Sequence, residues 1–270
     1  MDKYLVIGNP IEHSKSPFIH QSFARSSSQT LAYEKKKVEL DQFETFIHKF
    51  KKEGGKGCNI TVPFKERAFA IAQELTSRAK AAGAVNTLSF TNDGVIIGDN
   101  TDGQGLVEDL LRQRITIRDK RVLIIGAGGA ARGCILPLLE QFPSSITVTN
   151  RTFEKAQQLV SEFDSSQLSC SELSRLTNNF DLIINSTSAS LSNKLPEVES
   201  RVIASATCCY DMAYGNEPTC FLRWADELGV KKTSDGLGML VGQAAESFRI
   251  WRNVYPEVAS VLIELRAQLT

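Results

Sequence analysis

Residues 121–133 read RVLIIGAGGAARG, in which four apolar residues, Val122 to Ile125, run into a glycine cluster and then into a helix-forming segment. The pattern is a strand, a tight turn and a helix start. Gly126 would allow the sharp turn, Gly128 the close approach of a pyrophosphate, and Gly129 or Ala131 the packing of helix on strand. Free N–H groups and the positive dipole end of the helix would hold the phosphates. A second apolar strand, SSITVTN at 144–150, follows at the distance a βαβ unit requires.

The end of that second strand selects the nucleotide. An Asp or Glu there accepts hydrogen bonds from the ribose 2′-hydroxyl of NAD and repels a 2′-phosphate. Here the strand ends in Asn150, Arg151 and Thr152. An amide, a guanidinium and a hydroxyl suit a dianionic phosphate, and Arg151 can bind two of its oxygens at once. The cofactor expected is therefore NADP. The blander alternative is a solvated Arg151, with Thr152 capping the next helix.

At 270 residues the chain is long enough for two domains with cores of their own, and its 42% hydrophobic content is that of a globular protein. The 31 basic and 31 acidic residues cancel, which leaves no electrostatic footprint for nucleic acid or an anionic membrane. The start, MDKYLVIGNP, is a strand and a turn rather than a signal peptide, and no apolar run reaches membrane-spanning length. Six cysteines without metal or redox spacing read as buried free thiols in a reducing cytoplasm. With three dispersed histidines, no metal site is expected.

Along the chain, Lys3 to Gly8 is a first strand, and Pro17 opens a helix after the loop that holds Ser14 and Ser16. These serines either cap that helix or offer hydroxyls to a small carboxylate at its N-terminus. Leu31 to Val38 is an edge strand. Asp41 then caps a helix whose Phe43, Phe46, Ile47 and Phe50 form a core face. Gly54, Gly55 and Gly57 loosen the backbone before a short strand, Asn59 to Val62, which Pro63 stops. Lys65 follows at a helix start, where the dipole disfavours a cation, so it needs solvent or an anionic partner. A hairpin, AVNTLSF to VIIGD, brings Asn86 and Asp102 to one sheet edge, although Asp102 also fits as an N-cap. Later come a helix from Thr152 to about Phe163, a strand ending near Asn185, a strand at Cys208–Met212 and helices at 219–228 and 239–251. Pro256 opens the last helix. Asn185 to Ser188 would lie under the nicotinamide half of the cofactor.

With GNPIEHSKSPFIH, NITVPFK, GAVNT, GDNTDGQG, GAGGAAR, NRT and GLGMLVGQAAESFRIW in order, the chain resembles the shikimate dehydrogenase family across essentially its full length. The resemblance implies NADP-dependent reduction of 3-dehydroshikimate to shikimate. It implies an α/β fold of two domains. One is a discontinuous substrate domain, 1–102 with 238–270, built on a mostly parallel mixed sheet; the other is a Rossmann-type NADP domain, 103–237. It assigns Lys65 and Asp102 as the catalytic pair, and Ser14, Ser16 and Tyr214 to the substrate carboxylate. Asn59, Thr61, Asn86 and Gln243 take the ring hydroxyls. The cofactor residues are Gly126, Ala127, Gly128, Gly129, Ala130, Asn150, Arg151, Thr152, Thr187, Met212 and Gly236.

Two departures stand out. Gly215 and Asn216 follow Tyr214 where the family has Asn-Pro, the proline being displaced to Pro218, and Ser190 stands where glycine is general. A lysine ammonium suits proton donation at neutral pH, and a neighbouring carboxylate favours that charged form. The chain should cross between domains near Gly103 and Gly236, two positions where glycine could serve as a hinge. The partner is a small molecule, with monomer and homodimer both open. Three rivals remain: a quinate/shikimate dehydrogenase of broader range, a folate-cofactor dehydrogenase, and an NADP-sensing module without turnover.

Overall fold

Both faces of the strand at 121–125 are covered. Val122 and Ile124 enter a buried cluster with Ile135, Leu138 and Ile146, while Leu123 and Ile125 enter another with Ile183, Val202 and Phe221. A strand buried on both sides reads as a continuous apolar run, which is why VLII shows no alternation. Each such side chain contributes roughly 1.5–3 kcal/mol by leaving water.

The computed structural model describes residues 1–269; residue 270, the end of the expected substrate domain, lies outside them. The chain divides into two units, Met1–Gly105 with Val241–Gln268, and Leu106–Leu240. In order, the first unit holds β1 (Asp2–Gly8), α1 (Ser16–Ser26), β2 (Leu31–Lys37), α2 (Phe43–Lys52), β3 (Gly55–Ile60), α3 (Lys65–Ile71), β4 (Glu74–Leu75), α4 (Ser77–Ala82), β5 (Thr87–Phe90), β6 (Ile96–Asp99) and the start of α5 (Asp102–Arg112). Its sheet runs β2-β1-β3-β5-β6-β4. β1 is parallel to β2 and β3, β4 is parallel to β6, and β5 is antiparallel to both its neighbours.

The second unit holds β7 (Arg121–Ile125), α6 (Gly129–Leu139), β8 (Ser145–Thr149), α7 (Phe153–Ser161), β9 (Leu168–Cys170), β10 (Leu182–Asn185), α8 (Ser200–Ala204), β11 (Cys208–Asp211), α9 (Cys220–Glu227) and β12 (Lys232–Asp235). Its strands are all parallel, in the order β12-β11-β10-β7-β8-β9. The order reverses between β7 and β10, so this is the Rossmann-type arrangement, with its crevice at the carboxyl ends of those two strands.

The chain closes with α10 (Leu237–Arg252) and α11 (Ala259–Ala267). Within the first unit, the end of α10 is bound by specific contacts. Trp251 Nε1 donates to the Leu88 carbonyl at 3.1 Å and its ring stacks on Tyr4 at 4.6 Å. Arg252 pairs with Asp2 and donates to Gln29 Oε1. Both crossings between units fall inside helices, α5 and α10, rather than in loops.

Four local expectations are corrected. Asp41 does not cap α2: it sits in a 3-10 turn, Leu40–Gln42, and α2 starts at Phe43 without a side-chain cap. The strand expected at Asn59–Val62 is Gly55–Ile60, with Gly55 and Gly57 inside it. A Cβ at Gly57 would lie 2.6 Å from Trp251 Nε1, so this glycine serves close packing rather than looseness. The last helix starts at Ala259 rather than at Pro256, because the Glu257 carboxylate accepts the N–H groups of Ala259 (2.7 Å) and Ser260 (3.0 Å). All six cysteines are free, but Cys170 and Cys220 are only partly buried.

Candidate active site

Lys65 is the first residue of α3 and Asp102 the first of α5. β3 feeds α3 and the β5–β6 hairpin feeds α5, which brings the two side chains together at one end of the first unit's sheet. Lys65 Nζ lies 2.5 Å from Asp102 Oδ2, with the two side chains 30% and 20% exposed. They are reachable without being fully solvated. The other Asp102 oxygen, Oδ1, accepts a hydrogen bond from Asn86 Nδ2 at 2.8 Å. Asp102 itself begins α5, and its own N–H donates to Asn100 Oδ1 at 3.1 Å.

Asn86 is the hub. Its Nδ2 also faces Thr101 Oγ1 at 3.0 Å and Gln243 Oε1 at 3.4 Å, while its Oδ1 accepts from the Thr101 N–H (2.9 Å) and the Thr87 hydroxyl (2.8 Å). Asn59 lies one layer deeper. Its Nδ2 reaches the Asn86 carbonyl, Thr87 Oγ1 and Ser247 Oγ at 3.0–3.2 Å, and its Oδ1 accepts from the Tyr33 hydroxyl at 2.7 Å. Buried and bonded on both ends, Asn59 braces Asn86.

Ser16 is buried at the start of α1 and its backbone N–H donates to Ser14 Oγ at 3.3 Å, but the N-cap position is Lys15 and no side chain caps the helix. Close by, the Tyr33 hydroxyl is held well above its usual range, chiefly by burial. Thr61 is half-buried just after β3, its N–H on the Ile7 carbonyl at 2.9 Å. Tyr33, Thr87, Thr101 and Ser247 carry this network and were not singled out from sequence. The available signals were weak: Ser247 lies one helical turn beyond Gln243, and Tyr33 is the aromatic residue of the edge strand LAYEKKK.

In the second unit a cleft of about 470 Å³ is lined by Gly126 to Gly128, Asn150 to Thr152, Thr187 and Lys155 among others. Gly126 takes φ +112°, and a Cβ there would come 2.5 Å from Ser186 Oγ, so the turn admits only glycine without rearrangement. At Gly128 and Gly129 an added Cβ meets nothing within 4 Å; α6 begins there with no side-chain cap, leaving backbone N–H donors for an anion. The Arg151 guanidinium is 81% exposed and 4.0 Å from Glu197, too weak a pair to hold it from a phosphate. Lys155, in the first turn of α7, adds a second cation that the sequence reading missed.

Thr152 stands at the N-cap of α7 without a side-chain cap bond, and Asn150 Nδ2 donates to the Thr152 carbonyl at 2.8 Å. Ala130 lies exposed in the first turn of α6. Thr187 Oγ1 donates to Asn185 Oδ1 at 2.8 Å. Met212 follows β11 and packs partly on the sheet core. Gly236 is where a Cβ would strike the Met212 carbonyl, so the chain passes close there. Tyr214 is about one-third exposed, its hydroxyl raised by burial and by Asp235. Phosphate-binding N–H donors, two cations and a glycine turn form a donor set that fits NADP.

The profile for the shikimate dehydrogenase substrate binding domain matches residues 6–88, that for shikimate / quinate 5-dehydrogenase residues 109–205, and that for the shikimate 5′-dehydrogenase C-terminal domain residues 236–262. The shikimate dehydrogenase (NADP(+)) of Vibrio campbellii is 53% identical over 270 residues, covering 100% of this chain and 98% of that one. That of Colwellia psychrerythraea is 54% identical over 269 residues, covering 99% and 98%. Among solved structures, an Ael1 enzyme from Pseudomonas putida superimposes with a TM-score of 0.95 at 45% identity, covering 100% and 98%. The shikimate 5-dehydrogenase of Thermus thermophilus, in complex with NADP(H) and shikimate, gives 0.88 at 29% identity with both chains fully covered. Matched along nearly its whole length, the chain belongs to the shikimate dehydrogenase family.

Proposed function

We propose that this protein is an NADP-dependent shikimate dehydrogenase of the cytoplasm, reducing 3-dehydroshikimate reversibly to shikimate. The observation that carries this reading is the Lys65–Asp102 pair, held by Asn86 beside Gln243, in a chain of this family. Nucleotide binding alone needs none of these four residues.

NADPH, when bound, supplies the hydride that turns the carbonyl into a secondary alcohol. The chain supplies the proton and the orientation. The Lys65 ammonium donates to the carbonyl oxygen as negative charge grows there. Asp102 holds that ammonium through Oδ2, while Asn86 occupies Oδ1 and stops the carboxylate from turning away. In the oxidising direction Lys65 Nζ must first lose its proton, and Asp102 Oδ2, 2.5 Å away, is the second place for it. Ser14 and Ser16 bind the substrate carboxylate; Thr61, Asn86 and Gln243 meet the ring hydroxyls, braced by Asn59. Arg151, assisted by Lys155, takes the 2′-phosphate.

The test is reduced-nicotinamide absorbance on mixing the protein with shikimate or quinate, each in turn with NADP and NAD. Turnover with shikimate and NADP is expected. Comparable turnover with quinate or NAD would replace this reading with a broader dehydrogenase, and no turnover despite bound NADP would replace it with a sensor.

A further inference from the structure

Ser190 and the loop that carries Tyr214, the two places where the sequence departs from its family pattern, meet at one buried carboxylate. Asp211 ends β11 with no exposed surface. Its Oδ2 accepts hydrogen bonds from Ser190 Oγ and Thr219 Oγ1, both at 2.6 Å. Its Oδ1 accepts from Asn185 Nδ2 and the Ala213 N–H, both at 3.1 Å. Asn185 ends the adjacent strand β10 in register with Asp211, and its Nδ2 also reaches Ser190 Oγ at 3.3 Å. Asn185 Oδ1 in turn accepts from the Thr187 N–H at 3.2 Å and hydroxyl at 2.8 Å.

Burial pushes the Asp211 carboxyl above its usual range, and the hydroxyls of Ser190 and Thr219 oppose that push. A carboxylate out of water keeps its charge only while such donors stay in place, so the knot is rigid while it is complete. Thr187, Ser188 and Ala189, on one side of the knot, line the cleft of the second unit. Met212, Ala213 and Tyr214 follow Asp211 on the other. A side chain without a hydroxyl at 190 would break the direct tie between this turn and Asp211, leaving Asn185 as the link among the described residues.

We propose that Ser190, acting through Asp211, is a positioning residue that fixes the 187–190 turn against the end of β11 and thereby sets the affinity for the nicotinamide cofactor. The inference rests on the NADP-dependent reading given above. Thr219 and Ala213 still hold the 212–214 segment when Ser190 is altered, so the effect falls on the cofactor rather than on shikimate.

The experiment is titration calorimetry of NADP together with kcat and KM for shikimate, on wild type, S190A, S190T, D211N and the S190A/D211N double variant. S190A should raise the Kd for NADP about tenfold, the scale of one charge-assisted hydrogen bond, and leave the KM for shikimate within about twofold. S190T, which keeps the hydroxyl, should recover most of the loss. In the D211N background S190A should add less than about twofold, because the hydroxyl acts through the carboxylate. An S190A variant with unchanged NADP affinity overturns the proposal, as do independent effects of the two substitutions or equal losses for NADP and shikimate that threonine does not restore. Wild type that binds no NADP would overturn the underlying reading as well, so the two failures are distinguishable.

Discussion

Lys65 and His20 show opposite uses of burial in one unit. Lys65 keeps 30% of its side chain exposed and leans on Asp102, so it can meet a substrate and keep an ionic partner. Lys65→Ala should lower kcat about 10²- to 10⁴-fold while the Kd for NADP, measured by calorimetry, stays within about twofold. His20 is fully buried, stacked on Tyr33 with ring centroids 4.1 Å apart, and neither ring nitrogen has a hydrogen-bond partner among the described residues. Burial therefore drives its pKa down to about 3. Between that value and 6.5 the unfolded chain takes up a proton that the folded chain refuses. The contribution of this residue to stability is complete above pH 6.5 and is lost as pH falls toward 3, about 2 kcal/mol by pH 5. His20→Phe should keep the stacking, lose no hydrogen bond and flatten that dependence. Its melting temperature should exceed that of wild type at pH 5, and a large loss at pH 7.5 would count against the argument.

At the scale of elements, the start of α6 and the end of β8 divide recognition of the nucleotide. In the proposed reading the α6 N-terminus would offer N–H groups to any pyrophosphate, whereas the β8–α7 turn, with Arg151 and Lys155, would discriminate a 2′-phosphate. Arg151→Ala should raise the KM for NADP at least tenfold and that for NAD less than about twofold, read from initial rates with each cofactor. Equal effects would place the phosphate elsewhere. The crossings between units lie inside α5 and α10, close to the Gly103 and Gly236 positions expected from sequence. A helix resists bending because its hydrogen bonds are continuous, and Asp102 and Gln243 gain fixed positions from sitting on those two helices.

For the molecule as a whole, the return of the chain's last segment to the first unit is the decisive event. Arg78 on α4 pairs with Asp99 at 2.6 Å and with Glu246 of α10 at 2.9 Å, and Arg249 holds Glu246 from the other side. Burial alone would raise the Glu246 carboxyl, but hydrogen bonds from Arg249 and Arg78 and the charges of both outweigh it and hold the pKa below 4.5. The stability this provides is present above pH 4.5 and is lost as pH falls below it. Glu246→Gln should cost about 3 kcal/mol at pH 7, since it leaves part of a buried cation unpaired, and should shrink the acid-induced loss. Urea unfolding followed by Trp251 fluorescence in a Trp224→Phe background tests this at pH 7 and pH 4; an unaltered pH dependence would assign the acid sensitivity to other groups.

Local chemistry was enough for the sequence to determine the Rossmann-type unit. The run VLII, the glycine turn and the βαβ spacing report backbone conformation and burial within one short stretch, and Asn150 to Thr152 carry their charge preference wherever the strand ends. The hairpin that delivers Asp102 and the helix start that delivers Lys65 were legible for the same reason. Only the tertiary structure decided that Tyr33, Asn59, Thr87 and Ser247 form one network behind Asn86, and that Ser190 and Thr219 share Asp211. Those partners lie far apart in the chain, and their polar side chains look like any solvated residue until sheet order and the returning helix bury them together. Hydrophobic period and turn chemistry are properties of neighbours in sequence, whereas satisfaction of a buried polar group is a property of neighbours in space.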